Sequence, residues 1–556
     1  MKATNGSSSR CVVPIVIIAA LTVASLTAAS AAPLPPGGGA RGHETRHPRS
    51  GYAVRATVPS VDMSGLRPGQ STPVTPGPDV VPPGTTATPG LAPLAPLTPG
   101  YSSALRRYPY LTDVVNSASG TVGYATVNWA TDRSATTGSL AWGPMVAGAC
   151  TPSTQVTATR AVISVNAVGL YQWKAMLTLQ PDRQYCYRPS LGSLDLLGSD
   201  ASPVFRTQVA SNSTQSFSFA VLGDWGSADS RSSNPDQAAV MRLIAASGVR
   251  FALTTGDNAY PAGSQNNYGD LVSTGSNLSG VFGPQFWTVA GASIPIFPAI
   301  GNHGFLRAEA NHPHLLNWPQ DRAVATSSGR YQKDTYCCLL GTTSLTAPST
   351  WYAFDAGPAR IYVLEAAWSD SNGGVNSSPY QVDAAYQWQP TSTQYRWLEN
   401  DLAAHPTKVK MVAFHYPLYS DQRAEPSDTF LQGPNSLQGL LDRYGVRIAF
   451  NGHAHIYQRN LPDAGGMVSY ITGGGGARLQ SVHELPCLAI DAYAIGWSNT
   501  NGSGNACGSA PRPTSPAQVL HFLKVTVNGS RLTVAPTNSR GETFDVQTYD
   551  ISGITK

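Results

Sequence analysis

Charge is scarce in this chain. Lys and Arg number 36 and Asp and Glu 32 in 556 residues, 12% in all, for a net charge of +4, and no basic run stands out. That leaves no electrostatic footprint for nucleic acid or an anionic membrane surface, and it suits a secreted enzyme better than a disordered chain. Long apolar runs are scarce too. One spans residues 12–29, after Lys2 and Arg10 and before Ala29-Ser30-Ala31, the pattern of a signal peptide over residues 1–31. An uncleaved anchor is the rival reading; cleavage would leave a secreted chain without a transmembrane segment. No Cys stands at the cleavage point, which argues against a bacterial lipoprotein. Cysteine is sparse as well. Cys11 leaves with the signal, and Cys150, Cys186, Cys337, Cys338, Cys487 and Cys507 remain, without zinc-ribbon spacing. Export permits disulfides, so most of the six are expected to be oxidised. Cys150 and Cys186 fall in one region and can pair, and neighbours Cys337 and Cys338 would pair most easily with different distant partners.

At this length two or more domains are expected. Residues 32–100 are rich in Pro, Gly, Thr and Ser, as in Pro73-Val74-Thr75-Pro76-Gly77-Pro78, and read as an exposed linker. Residues 101–210 alternate polar and apolar over short stretches: Thr126-Val127-Asn128-Trp129, residues 171–177 and Gln184-Tyr185-Cys186-Tyr187. Short strands with regular turns suggest a β-sandwich, and the strands holding Trp129 and Tyr185-Cys186-Tyr187 resemble the fibronectin type III pattern. From residue 211 to 556 the pattern becomes α/β. Strands are expected at 217–222, 251–255, 294–300, 360–364, 410–414, 446–450 and 468–472. Helices are expected at 238–244, closed by Gly248, and between 394 and 404. A hairpin is expected around Asn528-Gly529.

Five strand ends in this region carry potential ligands. They are Gly223-Asp224-Trp225-Gly226, Gly256-Asp257-Asn258-Ala259-Tyr260, Gly301-Asn302-His303, His415, and Gly452-His453-Ala454-His455. In α/β sheets, sites form where strands run out at their carboxyl ends. A single His-x-His is a weak signal; five such ends in order argue against capping carboxylates and core histidines. Two cations close together need a bridging anion such as Asp and several neutral or anionic caps, and they can clamp a phosphoryl group and acidify a bound water. A histidine left uncoordinated can serve as acid or base.

These motifs resemble the calcineurin-like metallophosphoesterases, and more narrowly the purple acid phosphatases, over roughly residues 217–459. The resemblance implies an α/β catalytic domain of β-sheets flanked by helices, preceded by the fibronectin type III-like sandwich. It also implies a binuclear centre of Fe(III) with a divalent partner such as iron, zinc or manganese. One metal would take Asp224, Asp257, Tyr260 and His455, and the other Asp257, Asn302, His415 and His453. His303 matches the histidine that contacts substrate or leaving group. Tyr260 is the residue that marks the purple subgroup. The sequence departs at Gly304, where the family usually has an acidic residue.

The function implied is a secreted phosphatase that hydrolyses phosphomonoesters of small molecules by attack of a metal-bound hydroxide. A phosphodiesterase or nucleotide hydrolase on the same metals is the second reading, and a cell-surface binding protein with a vestigial hydrolase the third. Oligomeric state is not encoded in these motifs. His405, His483 and His521 read as packing or surface residues, as do His312 and His314, for which lining the cleft after the third motif is the alternative. The run Gly473-Gly474-Gly475-Gly476 lacks the Lys and Ser/Thr of a P-loop and reads as a tight loop.

Overall fold

The computed structural model describes residues 100–551, apart from 212, 228–233, 274–280, 283–292, 305–312, 327–331, 334–345, 348–349, 367–387, 389, 391 and 483–485. The expected signal peptide, nearly all of the linker, His312, His483, Cys337 and Cys338 lie outside the described residues. Among the described residues, no helix is long and apolar enough to cross a membrane.

Two sheets face each other across the main core. The first has the strand order 547–550, 531–538, 521–528, 217–222, 252–254, 296–298 and continues beyond it; the second runs 352–356, 359–363, 409–413, 448–451, 468–472, 457–460, 491–498, 503–508. Their inner faces meet through Phe219, Val221, Phe251 and Phe297 on one side and Phe354, Ile361, Met411 and Phe450 on the other. The alternate positions face outward onto helices. Ala220 and Leu222 pack on Val240, Met241 and Ile244 of the helix Pro235–Ala246. Tyr362, Val412 and Ala449 pack on Leu398 and Leu402 of the helix Thr393–Ala404. With both faces covered, these strands read as near-continuous apolar runs rather than alternating ones. The helix Pro235–Ala246 starts on the Asn234 side chain, which accepts from the Gln237 amide, and Gly248 follows its end at φ +70°. The expected strand at 294–300 is shorter, Ile296–Pro298. Pro295 and Pro298 cannot donate to a ladder.

Residues 105–206 also form two packed sheets. Leu111, Val127, Trp129 and Trp173 on one meet Leu140, Tyr185, Tyr187 and Phe205 on the other. The disulfide Cys150–Cys186 ties this region, as its position suggested. The first of these sheets is not separate from the α/β region. Leu105–Thr112 pairs in parallel with Ile296–Pro298 at Thr112 and Ile296, so one ten-stranded sheet runs through both regions. Arg107 sits on this junction, fully buried. It donates to Gly269 O (2.9 Å), Gln172 Oε1 (3.1 Å), Asn317 Oδ1 (2.7 Å) and Gln265 Oε1 (3.0 Å), and its guanidinium lies over the Phe282 ring. Burial pulls its pKa down to about 10, so it stays charged at neutral pH.

A second disulfide, Cys487–Cys507, lies beside the buried carboxyl pair Asp421 and Asp491. Its sulfurs are bonded to each other, so this group offers no thiolate to a metal. Asp491 accepts from Gln458 Nε2 (3.0 Å) and the Leu488 amide (3.0 Å), whereas Asp421 Oδ2 has no donor. Burial and the neighbouring Asp491 push Asp421 well above the usual carboxylate range. The sign follows from linkage. The folded chain holds a proton that the unfolded one sheds near pH 4, so this term stabilises the fold at low pH. It is lost as pH rises toward the raised folded value. Asp421→Asn is therefore expected to raise Tm over wild type by more at pH 8 than at pH 5. A gain that is equal at both, or larger at pH 5, would show that Asp421 is not the proton holder.

Candidate metal centre

All five ligand-bearing segments leave the same edge of the two sheets. Asp224 follows Phe217–Leu222, Asp257 follows Ala252–Thr254, and Asn302 follows Ile296–Pro298. His415 follows Val409–Ala413, and His453 and His455 follow Ile448–Asn451. The strands within each set run parallel, so these are carboxyl ends. Asp224, Asp257 and His415 are fully buried and offer ligand atoms within 4.8 Å of one another.

The turns are made by unusual backbone. Asp224, Asp257 and His453 have φ of +54°, +47° and +71°, a left-handed conformation that costs non-glycine residues on the order of 1 kcal/mol or more each. The glycine before each ligand has a different task. A Cβ on Gly256 would stand 2.5 Å from His415 Nδ1, one on Gly301 2.1 Å from Asp257 Oδ1, and one on Gly452 2.5 Å from Asp224 Oδ2. Each glycine makes room for the ligand of another segment.

Two groups of lone pairs converge here. His415 Nδ1 is 2.9 Å from Thr255 O. A carbonyl only accepts, so Nδ1 carries a hydrogen in either protonation state, and Nε2 is the atom free to hold a proton or a cation. That atom lies 2.8 Å from Asn302 Oδ1 and 3.3 Å from Asp257 Oδ1. His455 repeats the arrangement. Its Nδ1 donates to Arg478 O (2.7 Å), and Nε2 faces Tyr260 Oη (2.9 Å) and Asp224 Oδ1 (3.4 Å). Tyr260 Oη also lies 2.8 Å from Asp257 Oδ2 and 3.2 Å from Asp224 Oδ1. Acceptors crowded in a buried site demand positive charge. The protonation behaviour agrees. Burial alone would lower His415, yet Asp257 beside it pushes it up to about 9; burial is likewise overcome at His455 by its bond to Asp224, again to about 9. Burial would raise Asp257, but His415 and His303 hold it well below the usual carboxylate range. His453 is lowered by burial and then by His415, which keeps it a neutral imidazole. Its amide donates to both Asp224 oxygens, at 3.0 and 2.9 Å, and its ring centroid lies 5.2 Å from that of His415. Oxygen and imidazole donors in two convergent sets fit borderline and harder cations.

His303 lies at the rim. Its side chain is 38% exposed, its amide donates to Asp257 Oδ1 (2.9 Å), its Nδ1 is held by Pro261 O, and Nε2 is 3.9 Å from Asp257 Oδ2. At Gly304 an added Cβ would make only ordinary contacts, at 3.7 Å or more, so packing does not require glycine there.

Residues 217–457 match the family model described as calcineurin-like phosphoesterase. The chain is 26% identical over 282 residues to tartrate-resistant acid phosphatase type 5 of Oryctolagus cuniculus, covering 48% of this chain and 75% of the relative.

The chain is a purple acid phosphatase-like metallophosphoesterase. As such it is a hydrolase of phosphoric esters. Another relative of this metallophosphoesterase, acid phosphatase type 7 of Mus musculus, is 26% identical over 392 residues, 66% of this chain and 75% of the relative. The match reaches beyond the family-model region. The fold is similar to that of the purple acid phosphatase PPD1 from yellow lupin seeds, with a TM-score of 0.52, 16% identity, and coverage of 80% of this chain and 74% of that one.

Some residues beside the candidate site of this metallophosphoesterase were not legible in its motifs. Glu425, from the segment after His415, is half-buried beside His455 and Tyr260 and is pushed up to about 7 by burial. Gln480 accepts from the His455 amide (2.8 Å). Neither stands at a strand end. Among the remaining histidines, His314 and His521 are buried, His521 between Val519 O (2.6 Å) and Thr472 Oγ1 (3.1 Å), while His405 caps its helix over Asp401. The glycine run packs beneath the first ligand, where Gly475 donates to Gly223 O (3.0 Å) and Ala477 to Asp224 O (2.8 Å).

Proposed function

We propose that this chain is a secreted phosphatase that hydrolyses phosphomonoesters at a binuclear metal centre. The observation that carries the reading is the pair of tethered imidazoles, His415 and His455, each turning Nε2 toward oxygen ligands on either side of Asp257 and Asp224. In this reading Asp224, Asp257, Tyr260 and His455 hold one cation, and Asp257, Asn302, His415 and His453 hold the other, with Asp257 shared. When bound, such cations supply the positive charge that draws in phosphate oxygens and acidifies water. The chain's own residues do the rest. The backbone tethers on Thr255 and Arg478 fix the tautomers and ring orientations of His415 and His455. His303, its Nδ1 held by Pro261 O, presents Nε2 at the rim, where it can hold or give a proton to the departing alcohol. The buried position of the carboxylates keeps bulk water away from the charges that bind phosphate.

The two-sheet region in front is, in this reading, the fibronectin type III-like domain. The signal-like leader and the two disulfides support export, since disulfides persist in oxidising compartments.

Iron and colour test the metal assignment. A phenolate on Fe(III) gives a broad visible charge-transfer band, so iron-loaded oxidised protein is expected to be violet to pink and to turn over monoesters faster than diesters or nucleotides. Tyr260→Phe is expected to lose the colour, with a smaller loss of hydrolysis than any change at Asp257. Colourless but active iron-loaded protein would remove Tyr260 from the ligand set. Preference for diesters would move the substrate assignment to the second class.

A further inference from the structure

We propose that Asn258 is the positioning residue that sets the spacing between the two groups of ligands, an inference that rests on the metal reading above. Asn258 stands directly after Asp257, is 2% exposed, and touches neither convergence itself. Its side chain joins three of the five ligand-bearing strand ends. Oδ1 accepts from Trp225 Nε1 (2.9 Å), next to Asp224, and from Thr254 Oγ1 (2.6 Å), at the end of the strand that leads to Asp257. Nδ2 donates to Ala299 O (2.8 Å), three residues before Asn302. Backbone bonds run alongside: Asp224 N to Gly256 O (3.2 Å), Trp225 N to Asp257 O (3.1 Å), and Ala299 N to Thr254 O (3.0 Å).

The chemistry of the position is specific. One short planar group must accept two hydrogen bonds on one side and donate one on the other, and among the side chains of this size only the Asn amide does both. An ionised Asp would keep both accepted bonds and turn a second oxygen on the Ala299 carbonyl. Leu would keep the shape and leave Trp225 Nε1, Thr254 Oγ1 and Ala299 O without this partner. Partners behind metal ligands typically govern affinity or activity by 10–100-fold. The two faces of the amide also serve different groups. The accepting face ties Asp224 to the Asp257 and Tyr260 loop. The donating face ties that loop to Asn302, whose Oδ1 faces His415.

Two variants of the full chain separate these faces. Trp225→Phe removes the donor from the Asp224 side, and Asn258→Asp removes the bond to the Asn302 side. Each is compared with wild type for Tm, for zinc dissociation constants by chelator competition, and for kcat and KM well below Tm. Asn258→Asp is expected to weaken one zinc site 10–100-fold and to lower kcat with little change in KM, and Trp225→Phe to weaken the other site by less. If wild type holds two zinc ions and Asn258→Asp holds them as tightly with unchanged kcat, whatever its Tm, Asn258 is only structural and this inference falls alone. If wild type holds no cation with zinc or iron, the metal reading falls and takes this inference with it.

Discussion

Asp257→Asn is expected to cost the chain its hydrolytic activity, by roughly three orders of magnitude or more, at least as much as removal of a main transition-state stabiliser. The substitution keeps the shape of the side chain and can keep the bond from the His303 amide. It removes the one charge that faces both convergent groups, through Oδ1 toward His415 and Oδ2 toward Tyr260. On the binuclear reading, metal content should fall from two per chain to one or none, and Tm should fall with it, because bound metal stabilises the fold and the histidines lose the carboxylate they face. Activity within tenfold of wild type, with two metals still bound, would mean that Asp257 does not bridge.

The second large effect concerns stability. Arg107→Met is expected to destabilise the chain by roughly 3–5 kcal/mol, because it strands several buried acceptors at once. Gln172, Asn317, Gln265 and Gly269 would each lose a charged donor, and all four are buried at the junction. Because Leu105–Thr112 also continues the catalytic sheet, the loss should appear as one earlier cooperative transition in denaturant, with metal release in the same transition. If the two regions melt separately and metal stays until the later transition, the junction is a weak contact.

The segments that converge on the candidate site were legible because physics leaves a compact trace there. An apolar run, buried on both faces, ends in a residue pair that no strand would choose, such as Gly223-Asp224 or Gly301-Asn302. What the pairs do not reveal is why glycine comes first. Gly301 is needed because the carboxylate of Asp257, 44 residues earlier, lies where its Cβ would go. Such a requirement belongs to the assembled loops and not to either motif. Glu425 was illegible for the same reason: it reaches His455 and Tyr260 from a loop with no periodicity. The junction was illegible on different grounds. A single register pair, Thr112 with Ile296, joins the two regions, and a mostly buried strand such as Leu105–Thr112 looks the same in sequence whichever sheet it continues. Nothing in the sequence around Arg107 sets it apart from an ordinary exposed charge, the usual state of a guanidinium.

The hairpin Asn528-Gly529 has a consequence for synthesis. The strand Phe217–Leu222, which leads to Asp224, is covered on one side by Ala252–Thr254 and on the other by His521–Asn528, made some 300 residues later. Until residues 521–528 leave the ribosome, Phe217–Leu222 is an open edge of bare amide and carbonyl groups on an apolar strand, the kind that recruits a stranger's strand. A nascent chain halted before residue 521 would therefore be sticky as well as inactive. The strand His521–Asn528 thus protects the catalytic sheet as well as extending it, by closing an edge that earlier-made strands leave open.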